Sequence, residues 1–396
     1  MTGPEAVVVA FLARNFEQQG FFENQSRFYP QTVIGDSSHA TNETRARWEF
    51  TGHLTSWLTI AGGLDAQVDS HRSIERSWSL NLDDRSTLRP AFSLRRFSAT
   101  LHKGKVTAEL GRQIIQWGKA DLLNPTDRFA PRDYGRDALS GDPLGVIAAR
   151  LTVESGPNTF DLVWQPWFTP SRPPPLDQRW SPLPAMGPES SAEDLGSRYP
   201  GGGQYGARWN HVGAGYEFSF SFFDGFDNLP LFGTVAQDFQ RSYPAMRLYG
   251  FDAAVPLPWF TCKGEAAYIT SPVQQEGEYA LYVIQLERQV KDWSFEAGYA
   301  GEDAARTPSP LRFSPDLGFT RAFLGRAGLD LNVNSRVSLD TAVRLHGSMA
   351  RGEYSRALGP HLRVTGGVTW IHGDMTDFLG EYHRNSYVSL GMRYTF

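Results

Sequence analysis

Apolar and polar residues alternate along the chain in short segments that recur from its beginning to its end. In the last segment every second residue is apolar: Val388, Leu390, Met392, Tyr394 and Phe396. The residues between them are small or polar. Because successive side chains of a strand point to opposite faces, the segment is predicted to be a strand with one apolar and one polar face.

Eighteen strands of this kind are predicted along the 396 residues. They lie near 18–29, 43–53, 55–68, 91–102, 105–116, 144–154, 158–168, 203–211, 213–223, 244–256, 258–270, 278–290, 292–301, 320–333, 335–347, 351–358, 361–372 and 386–396. No linker rich in Pro, Gly and Ser separates two halves, which favours one continuous architecture. An even number of strands places both termini on the same side of a sheet or barrel.

The connections between these strands fall into two classes. Those after even-numbered strands are tight turns such as Asn334-Ser335 and Gly359-Pro360-His361. Most of those after odd-numbered strands are long: 30–42, 69–90, 117–143, 169–202, 224–243, 302–319 and 373–385. Short turns on one rim and long loops on the other are typical of membrane barrels. The predicted fold class is therefore all-β, a transmembrane antiparallel up-and-down β-barrel of about 18 strands with short periplasmic turns and long extracellular loops.

The composition agrees with this interpretation. The chain has no run of 18 apolar residues, its mean hydropathy is −0.39, and 13% of its residues are aromatic, which suits two interfacial girdles. Charged residues such as Arg47 and Asp161 alternate with apolar ones such as Trp48 and Phe160. An arginine facing lipid near the middle of a bilayer costs roughly 2–4 kcal/mol. The charged face is therefore predicted to line an aqueous lumen.

Two features resemble known bacterial proteins. A terminal Phe396 after an alternating strand resembles the closing strand of outer-membrane β-barrels, in which Tyr394 and Phe396 would form the C-terminal assembly signal. The pattern GRQ-x3-WGK-x-D followed by NP-x-D, at 111–127, resembles porin-like outer-membrane families and, more distantly, the alginate-export barrels. Segments 19–24 and 45–49 add to the likeness. For an alginate exporter the resemblance implies an Arg-rich lumen, whereas this chain mixes arginines with many carboxylates.

The domain organisation follows from the strands. We expect residues 1–17 to be an N-terminal periplasmic segment and residues 18–396 to form a single transmembrane β-barrel. The first residues lack the basic start and cleavage pattern of a secretory signal, so we interpret the sequence as a mature form or one whose start is assigned late. Loop 117–143 is expected to fold inward, with an ordinary solvated loop as the alternative. The Pro-rich loop 169–202 is expected to be extended, either across the mouth or in solvent.

Charged residues at the predicted constriction are the candidate site. They are Arg45, Arg47, Asp65, Asp69, Arg96, Glu109, Asp121, Asp127, Arg128, Arg132, Asp133 and Arg136. Arg45 and Arg47 lie two apart and share the inward face of a strand. If they are exposed, alanine at both positions is expected to shift ion selectivity toward cations with little loss of stability, since both side chains would lie in water. The alternative is that all these charges neutralise one another in ion pairs.

Three functions fit these features, together with one soluble alternative. The first is a passive diffusion channel for small hydrophilic or charged solutes, selected by width and by the field of arginines against carboxylates. The second is a sheath that encloses a separate multihaem cytochrome in an electron conduit. The third is export of an acidic polysaccharide. A soluble lectin-like or β-helical protein would have to bury the outward aromatic residues in a core.

Other functions receive little support from the sequence. No enzyme is expected, although His346 lies near Ser348 and His372 lies on a strand beside Ser386 and Ser389. No HxH or HExxH spacing and no CxxCH motif occurs, and Cys262 is the single cysteine, so neither a metal nor a cofactor is expected. A net charge of −5 without a basic block gives no reason to expect nucleic acid. The expected partners are outer-membrane lipid and the barrel-assembly machinery, with a multihaem cytochrome or further copies of the chain left open.

Overall fold

Residues 15–181, 194–235, 238–309 and 311–396 are described by a computed structural model. Eighteen antiparallel strands form a closed barrel. They are β1 (Phe16–Phe28), β2 (Ala40–His53), β3 (Leu58–Asp69), β4 (Phe92–Lys103), β5 (Val106–Gln113), β6 (Val146–Ser155), β7 (Asn158–Gln165), β8 (Gln204–Gly213), β9 (Tyr216–Phe226), β10 (Ala245–Pro256), β11 (Thr261–Thr270), β12 (Glu278–Val290), β13 (Trp293–Arg306), β14 (Ala322–Asn332), β15 (Ser335–Val343), β16 (Gly347–Leu358), β17 (Leu362–Gly373) and β18 (Tyr387–Thr395). Each strand pairs with the next, and the predicted fold class is confirmed.

The barrel closes where β1 pairs with β18. Phe22 lies opposite Tyr394, and Gly20 and Phe396 exchange two backbone hydrogen bonds of 3.1 and 3.0 Å. A side chain at Gly20 would collide with the ring of Phe396, so the glycine makes room for the last residue. Tyr394 and Phe396 face outward and are about half exposed. Of the predicted periplasmic segment 1–17, residues 1–14 lie outside the described residues, and β1 begins at Phe16.

The two faces of the barrel differ as the alternation predicts. Trp48, Phe220 and Trp370 are exposed on the outer surface, while their strand neighbours Arg47, Ser219 and Thr369 point inward and are largely buried. A closed barrel pairs the backbone of every strand on both sides, so only side chains meet the surrounding lipid. None of the described helices has the length and apolar character needed to cross a membrane.

The connections on one rim are two to four residues long and those on the other rim are mostly long. We label the connections of the second rim L1 (29–39), L2 (70–91), L3 (114–145), L4 (166–203), L5 (227–244), L6 (271–277), L7 (307–321), L8 (344–346) and L9 (374–386). The loops contain short strands at Leu80–Asn81, Arg132–Asp133, Asp142–Pro143, Asp194–Arg198, Leu231–Val235 and Asp238–Ser242. They also contain α-helical turns at Pro315–Gly318 and Phe378–Glu381 and 3-10 turns at Gln274–Glu276 and His383–Asn385.

The long loops fold over and into their end of the barrel. Trp180 of L4, Phe232 of L5 and Phe313 of L7 belong to one buried apolar cluster with inward side chains of β12 to β18. A second cluster joins Trp117 and Phe129 of L3 to Phe223 of β9 and Leu248 of β10. The lumen predicted from the strands is therefore partly filled at this end, because apolar loop residues pack against one another there.

Candidate functional site: the L3 constriction

L3 crosses the inside of the barrel and is attached to its wall along much of its length. Its first part follows the inner faces of β7 to β12, starting where the indole nitrogen of Trp117 donates to Asp161 of β7 at 3.1 Å. Its last part reaches the opposite wall, where Arg136 pairs with Glu43 and Asp142 pairs with Arg45, both on β2. Loop 117–143 thus spans the lumen from one wall to the other.

The sequence motif at the start of L3 supplies its attachments. Gly118 has φ +105°, and a side chain there would collide with Asn124 and Glu265, so the bend before Lys119 requires glycine. The ammonium group of Lys119 then reaches the wall, with Nζ 2.5 Å from Glu217 of β9 and 3.3 Å from Asp252 of β10. Nζ also donates to Asn210 of β8 at 2.8 Å. The WGK residues therefore hold the loop against the wall.

Glu265 of β11 is the main anchor of the loop backbone. Its carboxylate accepts hydrogen bonds from the backbone nitrogens of Lys119, Ala120 and Thr126 at 3.0, 3.1 and 2.8 Å. The hydroxyl of Thr126 donates a fourth bond at 2.8 Å. The Glu265 residue is only 2% exposed. A buried carboxylate with four donors fixes two separate points of L3 against one strand.

Gln285 of β12 repeats this arrangement one strand further along. Its side-chain oxygen accepts from the backbone nitrogens of Asp121 and Leu122 at 2.9 and 3.2 Å, and its nitrogen donates to the Asp121 carboxylate at 2.8 Å. Lys263 of β11 pairs with the same carboxylate at 2.6 Å. Asp121 is therefore held at the wall by one cation and one amide, with its side chain partly open to the lumen.

The middle of L3 is attached to other loops. Arg128 pairs with Asp316 of L7 at 2.8 Å, and Asp133 pairs with Arg172 of L4 at 2.7 Å. Asp127 pairs with Arg132 within L3 at 3.1 Å. Burial of Asp127 outweighs the effect of Arg132 and raises the pKa of this carboxyl to about 6. L3, L4 and L7 therefore form one connected layer inside the mouth.

The other predicted constriction residues form pairs on the wall of β1 to β5. Arg45 contacts Glu23 at 3.0 Å and Asp142 at 2.8 Å, while Arg47 forms a bidentate pair with Asp65 at 2.6 and 2.8 Å. Arg96 pairs with Glu109 at 3.1 Å. Arg45 is only 8% exposed. The structure therefore shows the paired arrangement, and the expectation that Arg45 and Arg47 both lie in water is wrong.

Asp69 lies apart from the constriction. It is buried at the start of L2, where it accepts hydrogen bonds from the backbone nitrogen and hydroxyl of Ser73 at 2.8 and 2.6 Å. Arg76 contacts it at 3.5 Å. Its inward position on β3 agrees with the alternation, but the loop that follows folds back over it. Asp69 therefore caps a loop, and of the other candidates it shares the lining of one cavity with Arg136.

We expect Arg47→Ala to shift ion selectivity toward cations and to lower stability. The substitution leaves the Asp65 carboxylate, which is largely buried, without its bidentate partner, and such a change costs about 3–5 kcal/mol. The matched control is Arg96→Ala, because Arg96 also pairs with a lumen carboxylate but is more exposed. Reversal potentials in a salt gradient and thermal unfolding in detergent measure the two effects. Equal stability of the two variants would contradict the role given to the Arg47–Asp65 pair.

Two cavities beside L3 lie along the wall of β14 to β18. One cavity is bounded by L3, L7 and strands β14 to β16, and a second by L3, β1 and β16 to β18. Ser140 and Arg351 border both cavities. L3 is held to the wall of β7 to β12 and reaches β2 near its end, and these two cavities lie between it and the wall of β14 to β18.

Sequence reasoning missed the wall residues that hold L3. The alternation of apolar and polar residues correctly predicts that these side chains point inward. They are Glu217, Asp252, Glu265 and Gln285. The alternation gave no indication that they contact a loop more than 90 residues away. Isolated inward carboxylates on consecutive strands were the available signal, because each buried charge needs a partner.

Of the comparisons with known proteins, the one with solved structures supports the fold. No protein-family model matches the chain, and neither does any curated protein. Among solved structures, OccAB4 of Acinetobacter baumannii is 11% identical with a TM-score of 0.57, and the match covers 96% of this chain and 98% of that chain. The chain has the fold of an outer-membrane channel. Two Pseudomonas aeruginosa structures are also similar: OccK5 (OpdH), with 9% identity, TM-score 0.55 and coverage of 97% and 98%, and OccK11 (OpdR), with 10%, 0.52 and 96% of both chains.

Proposed function

We propose that the protein is a channel for passive diffusion of small hydrophilic or charged solutes across the bacterial outer membrane. The position of L3 inside the closed barrel carries this proposal. The loop occupies part of the lumen, and the cavities beside it are lined by charged side chains such as Asp121, Arg326 and Arg351. Passage then requires no conformational cycle and no catalysis, because width and surface charge alone select the solute.

The outer surface supports the location. Aromatic residues such as Phe22, Trp48 and Phe396 lie exposed on it, and apolar side chains occupy the positions between the rims. A soluble protein rarely exposes so large an apolar area. We therefore propose that lipid contacts this surface. We also propose that the barrel-assembly machinery recognises the closing strand with Phe396. Contact with further copies of the chain stays a prediction.

The proposed function is tested with the purified protein in planar lipid bilayers. We expect discrete steps of conductance, with weak ion selectivity because most of the charges named at the constriction are paired. The reversal potential in a salt gradient measures this selectivity. A correctly folded protein that inserts into the bilayer but gives no steps at any voltage would contradict the channel and leave the fold intact.

The two alternative functions make different demands on the lumen. A sheath must accommodate a cytochrome, but L3 crosses the space that the cytochrome would occupy and is held there by Glu265 and Gln285. An exporter of an acidic polysaccharide needs an excess of cations along the route. Here Arg47, Arg96 and Lys263 are each paired with a carboxylate. No observation favours either function over diffusion of small solutes.

A further inference from the structure

The cavity between L3, L7 and strands β14 to β16 has two chemically different sides. Its cavity volume is about 330 Å³. This volume exceeds what water and inorganic ions require, and it is of the size of small-molecule pockets. The cavity lies inside the barrel beside L3, so a solute that passes L3 on this side contacts these side chains.

The first side of the cavity is apolar. Leu122 and Leu139 of L3 and Phe319 of L7 are partly exposed and pack against the buried cluster that includes Leu324 and Met349. Covering an apolar surface with the apolar group of a solute is favourable, because it removes apolar area from water. This surface therefore favours solutes that carry an apolar group.

The second side of the cavity is a row of alternating charges on the wall. Arg326, Asp340 and Arg351 are direct neighbours across β14, β15 and β16. Arg326 donates to Asp340 at 2.7 Å, and both side chains are more than one third exposed. Adjacent strands are about 4.8 Å apart, so positive guanidinium groups and the negative carboxylate of Asp340 alternate at short spacing along the wall.

An ion pair of this kind matches a solute that carries both charges. A carboxylate of the solute would receive hydrogen bonds from Arg326 or Arg351, and an ammonium group would donate to Asp340. A solute with one charge would satisfy one partner and leave the other to water. Exposed ion pairs hold together weakly, so a zwitterion can replace the contact between Arg326 and Asp340 without a large loss.

We propose that this cavity is a binding site for α-amino acids with apolar side chains, which slows and selects them on their way through the channel. The ammonium and carboxylate groups bind the row of Arg326, Asp340 and Arg351, and the apolar side chain lies against Leu122, Leu139 and Phe319. The proposal rests on the channel function and names the class of solute for the same route.

The experiment measures block of single-channel current by four solutes of known charge. L-phenylalanine is compared with L-serine, which lacks the apolar group, with phenylalanine amide, which lacks the carboxylate, and with 3-phenylpropionate, which lacks the ammonium group. We expect L-phenylalanine to block at roughly tenfold lower concentration than each of the others. Equal block by L-serine would contradict the proposed apolar contact. Equal block by either singly charged analogue would contradict the proposed recognition of both charges.

Two variants locate the effect. Leu139→Ser is expected to weaken block by L-phenylalanine roughly tenfold and to leave block by L-serine unchanged. Asp340→Asn is expected to weaken block by L-phenylalanine and not by 3-phenylpropionate. Normal current steps with equal block by all four solutes would contradict the binding site but not the channel function. Absence of current steps would contradict the channel function itself.

Discussion

Replacing Glu265 with alanine is expected to enlarge the conductance of the channel and to make its current noisy. The substitution removes the acceptor of four hydrogen bonds that join β11 to Lys119, Ala120 and Thr126 of L3. Hydrogen bonds to a charged group contribute about 1.5–3 kcal/mol each, and water replaces part of this in the variant. We therefore expect the attached part of L3 to leave the wall and to move within the lumen.

Single-channel recordings measure the size and the noise of each step. The matched control is Glu353→Ala, which removes one inward carboxylate from β16 without touching a backbone nitrogen of L3. The control is expected to shift selectivity toward anions at constant noise. Glu265→Ala and Glu353→Ala could give conductance steps of the same size with the same current noise. The change would then reflect the lost charge, and this result would contradict the anchoring role of Glu265.

The second large effect is expected at Arg312 of L7. Its guanidinium contacts Asp227 of L5 and lies 3.0 Å from Glu276 of L6, and all three side chains are at most 2% exposed. It also donates to Tyr279 of β12 at 2.6 Å. Arg312→Ala leaves the buried Asp227 carboxylate without its paired cation, which costs about 3–5 kcal/mol. We expect L5, L6 and L7 to separate from one another in this variant.

The pH dependence of this cluster has a defined sign. Burial raises the pKa of Glu276 well above its usual value, and the neighbouring Asp227 adds to this against the opposing effect of Arg312 and Arg128. Burial also raises the pKa of Asp227, but Arg312, the hydrogen bond with Glu276 and the charge of Arg128 act together with the backbone of Leu229 and keep the pKa of this carboxyl below its usual value. Folded Glu276 therefore holds a proton that the unfolded chain releases above about pH 4.3. The contribution of protonated Glu276 to the stability of the loop layer is complete below that pH. It is lost as the pH rises through the raised pKa of Glu276.

Limited proteolysis of the loops as a function of pH measures both effects. Arg312→Ala is expected to be cleaved faster at every pH, and Glu276→Gln, which keeps a neutral side chain, is expected to lose the pH dependence. The control for the first variant is Arg321→Ala in the same loop, because Arg321 pairs with Glu302 on the surface and is 66% exposed. An unchanged pH profile in Glu276→Gln would contradict the assignment of the titrating group.

The alternation of residues determined the barrel because it is a local property. Whether Trp48 meets lipid and Arg47 meets the lumen depends on the two-residue period of the strand, and every partner needed for the prediction lies within a few residues. Loop lengths added the direction of the strands. The resemblance of residues 111–127 to porin-like families also pointed to the correct loop, although it gave no reason for Gly118 or Lys119.

The constriction was decided by contacts between distant residues. Asp121, Asp127 and Arg136 were chosen from their charge and their place in a long loop. Their partners are Lys263 on the far wall, Arg132 within the loop and Glu43 near the start of the chain. A charge in the sequence shows that a partner is needed but not which of many opposite charges supplies it. The same uncertainty led to the incorrect expectation that Arg45 and Arg47 lie in water.

The sequence by itself determined the strand number, the direction in which each side chain points and the rim that carries the long loops. These properties repeat along the chain and follow from backbone geometry. Only the tertiary structure decided that Glu265 and Gln285 hold the first part of L3 to one wall and that a cavity lies beside Arg326 and Arg351. Glu265 accepts hydrogen bonds from Lys119 and Thr126, which precede it by 146 and 139 positions in the sequence. No periodic pattern encodes such a contact, because it depends on how a long loop folds back into the barrel.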